Sequence, residues 1–161
     1  VKTEQEVLDE ITAEIIMQFP DLAKIGLEVK SRRFPVIDGS TPSDEVVEDF
    51  IKFATRLEPN TWVHIHCHGG KGRTSAFVAM YNTIYLALHP ETKVTGASPN
   101  DHRKLSPKST DDEKGGARHL FITQFSNFVA STGLSAATEK WSEWRSAQSS
   151  KRGGNDTTLR Y

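Results

Sequence analysis

The chain has 161 residues, with 20 Lys and Arg against 21 Asp and Glu and a formal net charge of −1. Such a length supports one modest domain with a core of its own, and so even a charge balance leaves no bulk electrostatic case for nucleic acid or a membrane surface. A single cysteine excludes an internal disulfide, and no apolar run is long enough to span a membrane.

The sequence opens at Val1 without an initiator methionine and with no basic-then-apolar leader, and reads as a chain trimmed or processed from a longer one. Thr3 with Glu6 forms a capping-box pattern, and Val7, Ile11, Ile15 and Phe19 recur at helical spacing until Pro20. Leu27, Val29, Phe34 and Val36 then mark an extended stretch of one or two strands ending near Asp38. Thr41-Pro42-Ser43-Asp44 is a helix start, for a helix that runs to about Leu57 with Val46, Phe50, Phe53, Ala54 and Leu57 on its buried side. Trp62 to His66 reads as a short strand, and a glycine loop joins it to an apolar helix over about Arg73 to Leu88. Residues 90 to 117 form a long polar loop, of a length that in compact domains is functional or disordered. Two helices close the core, one with Leu120, Phe121, Phe125, Phe128 and Val129, the other with Leu134, Ala137, Trp141 and Trp144. The expected organisation is a core over 1–147 and a disordered tail over 148–161, with no internal repeat.

The chemistry concentrates in Trp62-Val63-His64-Ile65-His66-Cys67-His68-Gly69-Gly70-Lys71-Gly72-Arg73-Thr74. A phosphate monoester is doubly negative, so attack on it by an anion requires that its charge be cancelled. Backbone N–H groups of residues 68 to 73 can curl around three phosphate oxygens at the start of a helix, with Gly70 and Gly72 allowing the turn. Arg73 offers a planar fork for two oxygens, and the amides and helix dipole favour Cys67 as a thiolate nucleophile. Thr74 can donate to the sulfur when it leaves again. His66 reads as ordering the loop backbone. Asp38, before a loop and a helix, is the best upstream general acid, although an acid in that place also serves as a cap or turn residue.

His64, His66 and His68 with Cys67 raise a second reading, a zinc site. On a strand, however, His64 and His66 would face away from Cys67, and a metal site would leave Gly70, Gly72, Arg73 and Thr74 unexplained. His64 reads better as a histidine packed under the loop. No metal and no cofactor are expected.

The run Arg33-Phe34-Pro35-Val36-Ile37-Asp38, then Pro42, Phe50 and Trp62 to Thr74, resembles the protein-tyrosine-phosphatase-like phytases of bacteria, cysteine enzymes that remove phosphates from myo-inositol hexakisphosphate. Gln124-Phe125 and Trp141-Ser142-Glu143-Trp144 also look like that family's closing helices. The resemblance implies Cys67 as nucleophile, Arg73 as phosphate clamp and Asp38 as general acid. It implies a cysteine-phosphatase core of α/β class, a short parallel sheet flanked by helices. The family's N-terminal strands have no counterpart before Thr3: either a second chain or a missing N-terminal segment supplies them, or the protein is a reduced version of the family fold. His68 stands where these phytases often carry an acid. Lys71 resembles the basic loop residue of 3-phosphoinositide phosphatases, and both features point to a strongly anionic substrate.

The expected function is thus metal-independent hydrolysis of an inositol polyphosphate, with His68, Gly69, Gly70, Lys71, Gly72, Arg73 and Arg33 contacting phosphate. Lys30, Arg32, Arg103, Lys104, Lys108 and Arg118 could add to an anionic pocket, although each taken singly reads as ordinary surface. Phosphotyrosine protein and phosphoinositide are the alternative substrates, and a phosphate-binding module without turnover is the alternative from another class. A secreted, periplasmic or host-delivered bacterial enzyme is what the resemblance implies about location.

Overall fold

The computed structural model describes residues 2–24, 26, 28–91, 113–134 and 140–153, and every regular element among them is a helix. These are α1 (Glu4–Gln18), α2 (Asp21–Lys24), α3 (Asp44–Ala54), α4 (Gly72–Leu88), α5 (Glu113–Thr132) and α6 (Trp141–Gly153). The chain divides into two compact units, Val1–Phe34 and Pro35–Tyr161.

In the first unit the capping box is formed as its sequence requires. Thr3 N–H donates to Glu6 Oε2 at 2.6 Å, and Glu6 N–H donates to Thr3 Oγ1 at 3.3 Å. Gln5 then ties α1 to the segment after α2, donating from Nε2 to Val29 O and accepting from Ser31 N–H, both at 3.0 Å. The helical stripe Val7, Ile11, Ile15 and Phe19 is exposed rather than buried. Among the described residues its neighbours within the unit are a four-residue helix and one segment joined to it by the Gln5 clamp, and they leave it exposed.

The second unit holds all the fully buried apolar side chains of the described residues, from Val47 to Trp144. Ser43, not Thr41, caps α3, accepting from Val46 N–H at 3.4 Å, and Pro42 is buried just ahead of it. α3 ends at Ala54, a turn earlier than its apolar pattern implies. α4 is apolar on most sides because it packs against both α3 and α5. Phe50 of α3 meets Phe77 of α4 edge to face at 4.9 Å. Trp141, 1% exposed, touches Phe121, Phe125, Phe128 and Trp144 at centroid distances of 5.9, 5.8, 5.5 and 5.8 Å. Pairs of this kind are worth roughly 0.5–1.5 kcal/mol each beyond their buried area. Two acids of α3, Asp44 and Glu48, then fasten α6. Trp141 Nε1–H donates to Asp44 Oδ1 at 2.8 Å, Arg145 pairs with the same oxygen at 2.7 Å, and Ser142 donates to Glu48 from N at 3.2 Å and from Oγ at 2.6 Å.

The expected parallel sheet, and with it the α/β class, is overturned. No strand occurs among the described residues: 28–36 and 61–67 have no regular structure and form no ladder. A strand exists only through a partner's hydrogen bonds, so alternation alone produces an extended segment and no more. The period of two is kept in 62–67, where Trp62, His64 and His66 are exposed and Val63, Ile65 and Cys67 are half-buried. Burial in this unit comes from helix packed on helix.

The loop expected over 90–117 falls mostly outside the described residues, with Arg103, Lys104 and Lys108, and its last residues already belong to α5. Leu134 lies in the turn after α5, Ala137 is outside the described residues, and α6 starts at Trp141. Of the segment after Gln148, residues 148–153 continue α6 and 154–161 are not described. Since Trp141 joins the aromatic cluster to Asp44, Trp141→Ala should cost about 3–5 kcal/mol of unfolding free energy by chemical denaturation followed by circular dichroism. Trp141→Phe, which keeps most of the packing and loses the hydrogen bond, should cost less than half as much.

Candidate active site

Cys67 ends the segment 61–67, and residues 68–71 bend back so that α4 begins at Gly72. Gly70 takes a left-handed backbone, φ 63°, which makes the bend possible without strain. Lys71 stands at the N-cap without a side-chain cap, and no acid occupies the first turn of α4. The amides at this helix start therefore keep their hydrogen-bonding capacity for an anion. Ser75 fixes the turn from inside the helix, donating both its N–H, at 2.9 Å, and its hydroxyl to Lys71 O.

The thiol of Cys67 is lowered to about 6 from an ordinary 9.0. The largest cause is the hydroxyl of Thr74. Partial burial opposes it, and the backbone N–H groups of Thr74, Gly69 and Lys71 add to the lowering. Thr74 Oγ1 is buried with no partner in hydrogen-bonding geometry. The hydroxyl thus acts on the sulfur as a nearby dipole and is free to form a full bond to a thiolate.

Arg73 turns its guanidinium toward the segment before α3. Its Nη2 lies 3.1 Å from Asp38 Oδ1, and its Nη1 donates to Val36 O at 3.4 Å. Its Nε is buried and makes no hydrogen bond. Asp38 sits on a tight turn closed by Ser40 N–H to Ile37 O at 3.0 Å, and its side chain is 88% exposed. A pair with so exposed a partner is worth about 1 kcal/mol or less, so a doubly charged phosphate would displace it. Buried donors without partners are rare, and two of the three such side-chain atoms among the described residues are adjacent in this site.

The structure thus gathers Cys67, Arg73, Thr74 and Asp38 around the loop, with His68, Gly69, Gly70 and Lys71 exposed along it. Arg33 is exposed and belongs to the first unit. His64 is not packed under the loop. It stacks between Trp62 at 6.2 Å and His66 at 5.5 Å on an exposed face. Gly72 does not need glycine for its backbone angles. A Cβ there would stand 2.6 Å from Nη2 of Arg118, so close approach is the reason. Arg118 itself is buried, which its charge concealed. The available signal was its place in phase with Phe121, Ile122 and Phe125 on the buried stripe of α5.

The model of the protein-tyrosine-phosphatase-like phytases, a family described by the words inositol hexakisphosphate, matches residues 1–85 of the chain. The chain belongs to that family. The matched part of this phytase-family chain contains Asp38 and the whole loop from Cys67 to Thr74, and ends within α4. No curated protein and no solved structure matches it. Membership points to a phosphatase acting on phytate.

With the thiol at about 6, roughly nine-tenths of Cys67 is ionised at pH 7. Alkylation by iodoacetamide should therefore rise with pH around 6 and level off above 7. Because the Thr74 hydroxyl is the largest lowering influence, Thr74→Ala should move the midpoint of that profile upward, toward the ordinary thiol value, and slow alkylation at pH 6.5.

Proposed function

We propose that the chain is a cysteine-dependent phosphomonoesterase that removes phosphate from myo-inositol polyphosphates through a phosphocysteine on Cys67. The observation that carries this reading is the lowered thiol at the foot of an uncapped helix, next to the sealed, unpartnered Arg73 Nε and Thr74 Oγ1.

In this mechanism a phosphate group settles on the amides of residues 68–73. Arg73 exchanges Asp38 for two phosphate oxygens, and its Nε acquires an acceptor. The thiolate of Cys67 attacks phosphorus in line with the departing inositol oxygen, so an S–P bond forms as the P–O bond breaks. Asp38, released from the guanidinium and exposed to solvent, takes up a proton from water and gives it to that oxygen. It then takes a proton from water as the water attacks phosphorus. The S–P bond breaks, inorganic phosphate leaves, and the Thr74 hydroxyl steadies the returning thiolate. Arg73 and the loop amides hold charge that grows on the equatorial oxygens in both steps, and such interactions lower the barrier most. Lys71 and His68, exposed on the loop, suit a substrate with several phosphates better than one with a single flat phosphoaryl group.

Phosphate release from inositol hexakisphosphate, with a phosphotyrosine peptide and a soluble phosphoinositide alongside and chelator present, tests the reading. Cys67→Ser should abolish release. Asp38→Asn should lower kcat by roughly 10²–10⁴-fold, the range for a lost general acid, without weakening inorganic phosphate binding, because it removes the carboxylate that competes for Arg73. Faster release from the peptide or the lipid would keep the mechanism and move the substrate class. Release that survives Cys67→Ser would end it.

A further inference from the structure

The carbonyl of Lys71 is gripped twice. It accepts the backbone N–H of Ser75 at 2.9 Å, the bond that opens the ladder of α4, and it also accepts the Ser75 hydroxyl. Hydroxyls that bond back one turn recur in this chain: Thr12 reaches Leu8 O, Thr83 reaches Ala79 O and Ser146 reaches Ser142 O. Those carbonyls lie inside their helices. The Lys71 carbonyl belongs instead to the peptide that joins the loop to α4, at an N-cap with φ −112°, ψ −84° and no side-chain cap. Because a peptide is planar, the direction of its carbonyl fixes that of its N–H. The Lys71–Gly72 peptide sends its oxygen along α4 to Ser75, so the Gly72 N–H points the opposite way, out of the helix start.

The hydroxyl has two effects on that peptide. With both lone pairs of the Lys71 oxygen engaged, the peptide is held against a flip, which would turn a carbonyl oxygen instead of an N–H toward an anion. A second hydrogen bond at the oxygen also polarises the amide and strengthens its N–H as a donor. We infer that Ser75 is a positioning residue, which through the Lys71 carbonyl keeps the Gly72 N–H aimed at the phosphate. The inference rests on the phosphatase reading above and adds to it a residue that acts on phosphate without touching it. The groups that lower the Cys67 thiol are the Thr74 hydroxyl and the N–H groups of Thr74, Gly69 and Lys71, and the Gly72 amide is not one of them. A flip of the Lys71–Gly72 peptide leaves the Lys71 N–H in place. Loss of the Ser75 hydroxyl should therefore separate phosphate binding from thiol ionisation, whereas a general loosening of the loop would move both.

One assay reads both quantities. The rate of iodoacetamide alkylation of Cys67 against pH gives the thiol midpoint, and its slowing by inorganic phosphate at fixed pH gives the phosphate affinity. Ser75→Ala should weaken phosphate by about threefold to tenfold, the net effect of one hydrogen bond, and leave the midpoint in place. Ser75→Val should behave as Ser75→Ala does. Ser75→Thr, which has nearly the shape of the valine variant and keeps a hydroxyl, should restore the affinity. In turnover of inositol hexakisphosphate, kcat for Ser75→Ala should fall by at least the same factor, because the amide meets charge that grows in the transition state. Ala is the better helix former, so the variant should fold; if it does not, Ser75→Thr and Ser75→Val carry the test. Unchanged phosphate protection in Ser75→Ala, equal affinities of Ser75→Thr and Ser75→Val, or a thiol midpoint that rises along with the weaker binding overturns the inference. Hydroxyl-dependent phosphate protection in a chain that releases no phosphate from any substrate overturns only the enzymatic reading.

Discussion

Helix α4 starts without a cap, and the site depends on that omission. A side-chain cap typically adds about 1 kcal/mol to a helix. Here Lys71 supplies none, and the free amides face the bend that carries Cys67. The helix start is held instead by what lies further along it. Ala76, Phe77, Ala79, Met80 and Ile84 are buried between α3 and α5, and Ser75 grips the carbonyl of Lys71. Burial of Phe, Met and Ile side chains at roughly 1.5–3 kcal/mol each exceeds the missing cap several-fold. The core of the second unit thus keeps a polar helix end open.

The same economy governs Arg73. In the resting site it is paired with an exposed carboxylate and a distant carbonyl, while its Nε is left with nothing. Strong partners there would make the site more stable and less able to accept phosphate. A weak surface pair keeps the guanidinium oriented and is readily exchanged. The pair also keeps Asp38 beside the loop, so one contact orients both side chains.

How much was legible in the sequence follows from the kind of constraint involved. Cys67 to Thr74 could be read because the chemistry demands particular residue types at fixed separation, and the structure sets the Thr74 hydroxyl and the loop amides on the Cys67 thiol. α3 and α4 could be read because a helix satisfies its own backbone, so local pattern suffices. The strands could not, because pairing is a relation with another segment; Trp62 to Cys67 alternates and still has no ladder partner among the described residues. The apolar stripe of α1 misled for a related reason, since Val7 and Ile11 specify a face and say nothing of what is wide enough to cover it. Arg118 was hidden by its chemistry. A charge is ordinarily surface, and only its phase with Phe121 and Phe125 pointed inward.

The exposed stack of Trp62 on His64 and His66 has an optical consequence. Of the three tryptophans, Trp141 and Trp144 are buried in the aromatic cluster, whereas Trp62 is 87% exposed and five residues before Cys67. An indole in water emits to the red of buried ones. The segment leading to Cys67 therefore carries its own fluorophore. Its signal is separable by colour and by iodide accessibility from the two that report on the core.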